Sequence, residues 1–535
     1  MRKLFYIFIV FQLFTSCFKD DSNLEVQKIK PIVIKEFGSN QLNITQFDTL
    51  KIEPLIYCEG VADKDLSFEW KLMNYGVIES RVIDTTMYCC AYIPDNASKD
   101  YTVRLKVTDR TTGIYAMKTY SLEVKSGFGP GMLVADTRDG GQTSDLSLLR
   151  CREVTYDYGM SREDRSVGRN LWSLINGAPF AGEVLDVRTV QRTSNPTYYG
   201  MTVVTTKGIY ETNPGNYVQT GFGSDLFFFP PDFSVTDIAS ARLAVDLTGP
   251  VEQMLVNGKV TARSLPVATK YGATIYPAGV EDYHISQMAH PDQKAWAYPA
   301  YAYDELGKRM LFFAGNASGE LSGYQAPEQY GGPFDVNDLS KYTPFFLGES
   351  KSGMDMLVKN NETGAYQVLS MNFAKNTAVT TTRNFARKIY NLQGAPKLEE
   401  AIAYEMNPLD DVIYYATEDE IYAGPMATPS LIQQRWRAAA GEKITAIQFF
   451  KYPCDQANSY YYRGGQHYLS DVDGGEKTQY SVHRLLFVAT EDAAGNGKVT
   501  AIPLQSETSG RLEKNDKYHL IFEGFGHILG FYKQE

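Results

Sequence analysis

The chain has 535 residues, and its 63 acidic and 52 basic side chains leave a formal net charge of −11. A 43% apolar fraction is ample for a packed core, while charged residues at 21% are too few for a disordered or coiled-coil protein. The acidic balance argues against nucleic-acid binding, which needs clustered Lys and Arg. Abundant Tyr (37) and Phe (28) beside scarce His (6) lean toward pleated, half-buried β structure.

The amino terminus reads as an address. Arg2 and Lys3 precede an apolar run from Leu4 to Phe14, broken only by Gln12, and Thr15-Ser16-Cys17 follows. That is a signal peptide over residues 1–16, since a run this short rises only about 16 Å as a helix and cannot span a bilayer. Cys17 after the small pair resembles a bacterial lipobox, with Phe14 in place of the usual Leu. The resemblance implies lipidation of Cys17. Phe18-Lys19-Asp20-Asp21-Ser22 is similar to the short acidic signal that sends Bacteroidota-type lipoproteins to the outer face of the outer membrane. The expected location is therefore the outer membrane, lipid-anchored and facing the exterior, with residues 17–39 as the lipidated Cys and a flexible linker. No later stretch approaches the roughly 18 apolar residues of a membrane helix.

The remaining cysteines, Cys58, Cys89, Cys90, Cys151 and Cys454, contain no C-x-x-C pair, so no zinc or thioredoxin-like site is indicated. Cys58 could reach Cys89 or Cys90 if their strands are neighbours, or all three could act as small hydrophobes.

Residues 40–126 read as short strands: Leu50 to Cys58, Leu66 to Leu72 with Trp70, the period-two run Tyr101 to Thr108, turn chemistry at Asp109 to Gly113, and a return over Ile114 to Val124. This describes a small Ig-like β-sandwich. The Trp70 strand and the terminal hairpin resemble a PKD-type domain without its W-x-F-G-D-G signature. Ser126 to Gly131 then reads as a hinge, because Pro130 and the following strand exclude a nucleotide-binding helix start.

Over residues 127–535 a degenerate unit recurs: an apolar strand, a Gly- or Asp-bearing turn, and a second strand. Copies begin at Met132, Met201, Met254, Met310, Met356, Val412 and Leu485. Most are preceded by a further strand, as in Lys443 to Pro453, but the first is not. Its missing strand is expected at the C-terminus, Gly526 to Lys533. Seven units at this spacing predict a seven-bladed β-propeller closed by the C-terminal strand, since closure removes exposed edges. The fold class expected is thus all-β, a sandwich followed by a propeller. A short helix is expected between Ser161-Arg162-Glu163-Asp164 and Asn176-Gly177.

Chemistry is harder to place. No H-E-x-x-H pair occurs among the six His. Thr137 to Thr143 is similar to a sialidase Asp-box but reads better as a tight turn. Asp471, Asp473 and Glu476 have calcium-loop flavour but fail the twelve-residue pattern, so no cofactor is expected beyond a weak case for a structural calcium. The strongest binding candidates are two aromatic loops. One carries Tyr460, Tyr461, Tyr462, Arg463, His467 and Tyr468; the other carries Tyr283, Trp296, Tyr298 and Tyr301. Tyr offers a flat apolar face and a hydroxyl at low entropy cost, which suits binding surfaces. The alternative is that these rings pad the loops against the scaffold.

The lipobox, the Ig-like module, GMLVADTRDGGQTSDLSLL (131–149) and YAYDELGKRMLFF (301–313) together resemble the PKD-like family of Bacteroidota outer-membrane lipoproteins. The resemblance implies a non-catalytic accessory of a SusC/SusD-type nutrient importer that binds glycan or peptide, or the importer itself. The alternative function is a propeller-type glycoside hydrolase or lyase, which would need paired carboxylates in a pocket. A third is a purely structural platform within the importer complex.

Overall fold

The computed structural model describes residues 31–35, 39–74, 76, 79–151, 153–155, 165–192, 198–232, 242–246, 251–264, 269–289, 300–315, 321–372, 381–450, 467–470, 477–480 and 483–534. Nearly all of its regular structure is antiparallel β. The chain divides into two compact units, Met1–Ile44 with Thr49–Lys125, and Thr45–Asp48 with Ser126–Glu535.

The first unit is Ig-like. A five-stranded sheet runs in the order Gln41–Thr45, Tyr115–Lys125, Ser98–Asp109, Leu66–Asn74, Glu79–Asp84, beside two pairs, Ile32–Lys35 with Leu55–Cys58 and Asp48–Ile52 with Cys89–Ile93. Strand alternation turns Trp70, Leu72, Val103, Leu105 and Val107 inward, where they are buried together. Trp70 stacks on Tyr120 at 6.2 Å, and its indole nitrogen donates to the Thr86 carbonyl at 2.9 Å. That bond satisfies the ring's polar edge inside the core. Two expectations need correction. Leu50 to Cys58 is not one strand but two, broken at Glu53-Pro54, because Pro54 has no N–H to continue a ladder. The expected linker 17–39 contains the strand Ile32–Lys35, whose Ile32 is buried opposite Cys58.

Among the described residues the second unit holds seven successive sheets of three or more strands, and a separate pair, His467–Ser470 with Lys477–Tyr480. Sheet one pairs Arg165–Gly168, Thr143–Cys151, Gly131–Thr137 and His527–Gln534, in that order. Sheets two to seven open with Val184–Arg192, Arg242–Asp246, Ile285–Ala289, Tyr342–Ser350, Ala403–Met406 and Lys443–Phe449, and each continues as an antiparallel meander. Sheet three has three strands among the described residues and the others at least four. The C-terminal strand adds to Gly131–Thr137, with Leu133 opposite Tyr532 and Val134 opposite Phe531.

The second strands are mostly apolar because they are covered on both faces. In sheet five, Met354, Met356 and Val358 pack toward sheet four, while Leu357 packs toward sheet six. In sheet six, Ile413 and Tyr415 face sheet five, while Val412, Tyr414 and Ala416 face sheet seven. Sheet seven turns Leu485, Phe487 and Ala489 toward sheet one, where Met132 and Val134 meet them. Leu133 and Ala135 point the other way, into the core shared with sheet two. The opening strands of sheets two to seven touch in succession, and His527–Gln534 of sheet one touches both the last and the first of them.

Two further corrections concern local structure. Six of the seven sequence copies are second strands, but Met310 to Phe313 is the third strand of its sheet. The second strand there is Ala300–Asp304, whose small, alternating AYAYD run does not look like its counterparts. The helix is only Leu171–Asn176. Arg165–Gly168 before it is an edge strand, and Ser161 to Asp164 lie outside the described residues. Its start is capped not from its own sequence but by Asp145, whose carboxylate accepts from the Trp172 and Ser173 amides at 3.1 and 3.2 Å. Gly177, at φ +82°, ends it.

Candidate functional site

Among the described strands of sheets two to seven, the first-to-second and third-to-fourth connections leave one end and the second-to-third turns leave the other; in sheet one, whose first strand is the C-terminal one, the remaining connections keep the same arrangement. Hydrogen bonds between sheets join like ends. Tyr301 Oη donates to the Asn372 carbonyl at 2.6 Å, Ser352 Oγ to Asp411 Oδ2 at 2.6 Å, and Asn407 Nδ2 to the His483 carbonyl at 2.8 Å. The long within-sheet connections, 152–164, 290–299, 372–385 and 450–484, are all attached at this end. The second-to-third turns are short, such as 206–207 and 257–258.

Both aromatic insertions are rooted there. Trp296 and Tyr298 fall between Ala289 and Ala300, and Tyr460, Tyr461, Tyr462 and Arg463 fall between Phe450 and His483; all six lie outside the described residues. His467 and Tyr468 begin a strand, His467–Ser470, paired with Lys477–Tyr480. Tyr283 does not present its ring to a ligand. It is fully buried, its hydroxyl donates to the Ile275 carbonyl at 2.7 Å and accepts from the Val260 amide at 3.0 Å. Its neighbour Tyr276 is the exposed ring, resting edge-on against Tyr283 at 5.7 Å. Tyr276 borders a cleft of about 640 Å³, lined also by Ala262, Thr274, Ser322 and Gly323. Nothing in the sequence marked Tyr276 off from Tyr283, because both sit in one irregular stretch without strand alternation.

The rooted end also holds a buried carboxyl among polar partners. Asp355, on the second strand of sheet five, is wholly buried, and Ser350 Oγ donates to its Oδ2 at 2.7 Å. Burial pushes its carboxyl up to about 7, against the hydrogen bond from Ser350 and the nearby Ser370 hydroxyl, and the charge of Asp411 adds to the rise. Asp411 accepts from the Ser352 amide at 3.1 Å and from Tyr390 Oη at 3.0 Å, and Arg387 stands 4.0 Å away. Burial and Asp411 together push the Tyr390 phenol well above its ordinary range. The group can store a proton near neutral pH. The sequence did not reveal it, because its members come from three separate places: Asp355 from the second strand of sheet five, Arg387 and Tyr390 from the fourth, and Asp411 from a turn of sheet six.

The Asp-box-like segment is a turn. Asp139 accepts from the Thr143 amide at 2.9 Å and from Thr137 Oγ1 at 3.0 Å, and Gly140 and Gly141 take φ of +69° and +85°. His527 pairs with Glu491 at 2.6 Å on the opposite end from the insertions. Asp471, Asp473 and Glu476 lie outside the described residues, as does Cys17. Among the described residues no three His, Cys, Asp or Glu side chains gather to hold a metal, and no helix is long and apolar enough to cross a membrane. Cys58, Cys89, Cys90 and Cys151 are free thiols.

The chain is an all-β protein with an Ig-like amino-terminal module. Residues 17–183 match the PKD-like family, so the family domain runs through the first unit and across the strands Gly131–Thr137 and Thr143–Cys151 of the second. No curated protein matches the chain. Similar solved structures include a functionally unknown protein from Desulfotomaculum acetoxidans, 11% identical over 74% of this chain and 99% of that one, with a TM-score of 0.34. The extracellular domain of a one-component system from B. thetaiotaomicron is 10% identical over 85% of this chain and 54% of its own, at 0.35. The WD40 domain of SCAP from fission yeast is 8% identical over 66% and 72%, at 0.31. With scores this low, none of the three bears on the role of this chain.

Proposed function

We propose that this chain is a non-catalytic binding protein held at the outer membrane by a lipid on Cys17, and an accessory of a SusC/SusD-type nutrient importer. In this reading its seven sheets are the blades of a closed propeller, and the loops at one end engage a glycan or peptide, or the importer itself. The propeller reading is supported by the cyclic succession of inter-sheet cores and by the pairing of His527–Gln534 with Gly131–Thr137. The binding reading is carried by one observation: both aromatic insertions are rooted at the same end, at Ala289 and Ala300 and at Phe450 and His483. Loops grouped on one face of a rigid scaffold are where binding is usually found.

The test is titration of the mature protein with glycans and peptides, with and without Tyr460, Tyr461 and Tyr462 changed to Ala, alongside co-purification with the importer. Loss of binding in the triple variant is expected; retained binding rejects the loop assignment. Mass spectrometry of the native amino terminus tests the lipid separately.

A glycan-degrading enzyme is the second reading. The observation favouring it is the pairing of Asp355 and Asp411 beside Arg387 and Tyr390, since glycan cleavage commonly uses two carboxylates of unequal proton affinity. Product release from a polysaccharide panel, abolished by Asp411→Asn, would select it.

A further inference from the structure

Three arginines lie in a row along the fourth strand of sheet seven, Leu520–Phe525, at its junction with sheet one. Arg165 Nη1 donates to the Ile521 carbonyl at 3.4 Å, Arg169 donates to the carbonyls of Glu523 and Gly524, the latter at 3.1 Å, and Arg138 Nη2 donates to the Gly524 carbonyl at 2.6 Å. The guanidinium planes are held from below as well. Arg165 sits over the Phe522 ring at 5.7 Å and Arg169 over Phe525 at 4.8 Å. Gly524, at φ +88°, leaves room for Arg169, whose guanidinium nitrogens would stand 3.3 to 3.5 Å from a Cβ there.

Among the described residues, the row carries more positive charge than its neighbours neutralise. All three side chains belong to exposed residues. Among the described residues, their only ion pair is Arg138 with Asp136 at 3.7 Å, and Asp136 is buried and already accepts from the Gly526 amide at 2.7 Å. The exposed Glu523 is the other acid on the strand. Burial pushes the Arg169 pKa down, the charge of Asp136 opposes the fall, and Arg138 is near enough to add to it. In a chain of net charge −11, two guanidiniums converging on one neutral carbonyl call for a different explanation than bulk charge.

The chemistry of the row selects its ligand. Guanidinium offers donors and no acceptor. The carbonyls of Ile521, Glu523 and Gly524 are already taken by the arginines, so a peptide strand adding along Leu520–Phe525 would find these acceptors occupied. Arg165 and Arg169 are four residues apart, roughly 13 Å at the rise of a strand, too far for one small anion to bridge. We infer that Arg138, Arg165 and Arg169 form a binding site for a linear anionic oligosaccharide, whose carboxylate or sulfate groups pair with the guanidinium forks. The inference gives a ligand class to the binding role proposed above and rests on that reading, but it uses a different face of the protein.

Titration of the mature protein with polygalacturonate and chondroitin sulfate oligosaccharides tests it, with maltohexaose and polyglutamate as the neutral and peptide arms. Binding of one or both anionic glycans is expected, weakening roughly tenfold between low and physiological salt as exposed charges are screened. The two arms distinguish carboxylate from sulfate. Arg165→Gln should weaken binding about tenfold and flatten the salt dependence, and Arg165→Lys should restore part of it, because charge survives while the fork is lost. Among the described residues Arg165 makes one long hydrogen bond, so this variant keeps the test open even where Arg138→Gln or Arg169→Gln unfolds the junction. Polyglutamate binding as tightly as the glycans, or anionic binding unchanged in that variant, would each overturn the inference while leaving the binding role standing; maltohexaose bound at the aromatic loops should be indifferent to Arg165→Gln. No binding in any arm overturns the inference; the Tyr460 to Tyr462 titration judges the binding role independently.

Discussion

Leu133 and Tyr532, close to opposite ends of the second unit, stand directly across from one another in an antiparallel pair. Their neighbours carry the energetics. Phe531 is fully buried, 5.5 Å from the ring of Phe487, and Ile528 is buried with it. Phe531→Ala should destabilise the second unit by about 3–5 kcal/mol, the usual range for emptying a large aromatic site. Removing residues 527–535 should do more, because Gly131–Thr137 would then be an open apolar edge prone to aggregation. Urea unfolding followed by fluorescence, with light scattering for the truncation, measures both. An unchanged midpoint in Phe531→Ala would contradict the packing described.

Asp355 predicts a pH dependence of stability. Its carboxyl titrates near 7 in the fold against an ordinary 3.8, so between about pH 4 and 7 the native state holds a proton that the unfolded state has lost. Stability from this group is therefore fully present below about pH 4, declines as pH rises, and levels off above about 7. Asp355→Asn keeps the shape and cannot ionise, so the decline should flatten, leaving the variant ahead of the parent at pH 8 by roughly 2–4 kcal/mol relative to their difference at pH 4. Parallel pH slopes for the two proteins would show that Asp355 is ionised throughout.

Glu420 behaves in the opposite sense. Lys397 Nζ donates to it at 2.7 Å, Tyr422 Oη at 2.6 Å, and Arg437 donates to its other oxygen. These bonds hold the carboxylate down at about 2. The stabilisation is present above the ordinary 4.5 and lost as pH falls toward 2. Both cations are well exposed, so solvent screens the pair, and Glu420→Gln should cost only about 1–2 kcal/mol at pH 7 and progressively less in acid. Chemical denaturation at pH 7 and pH 3 checks the sign as well as the size.

What the sequence made legible follows from what each kind of pattern encodes. The two-sided burial of Met201–Val204 and Leu485–Thr490 demands continuous apolar runs, and these runs could be read directly. Ala300–Asp304 is equally buried, yet its alanines fill a narrow gap that only neighbouring sheets define, so the reading moved one strand along to Met310. Pro54 divides the apolar run from Leu50 to Cys58, because it has no N–H to give to a ladder. The arginine row could not be read, since Arg138 and Arg165 approach Gly524 and Ile521 from the far end of the chain. Tyr283 and Tyr276 differ only in which way the backbone turns them, and composition does not report direction.

Thiol reactivity should separate the vicinal cysteines. On the strand Cys89–Ile93 successive side chains alternate, so Cys89 is buried and Cys90 is exposed. Burial first, then the charge of Asp84, push the Cys89 thiol up to about 12, while Cys151 is raised well above its ordinary value by burial and by Glu153. The thiolate is the reactive form, so at pH 8 both should be inert in the folded protein. In a Cys454→Ser background, iodoacetamide should modify Cys90 within minutes and leave Cys58, Cys89 and Cys151 unmodified until denaturant is added. Peptide mass spectrometry reads each site separately. Modification of Cys89 at the rate of Cys90 would mean that this strand is turned over or opens readily, and the Trp70 core on which Cys89 packs would then be less secure than its burial suggests.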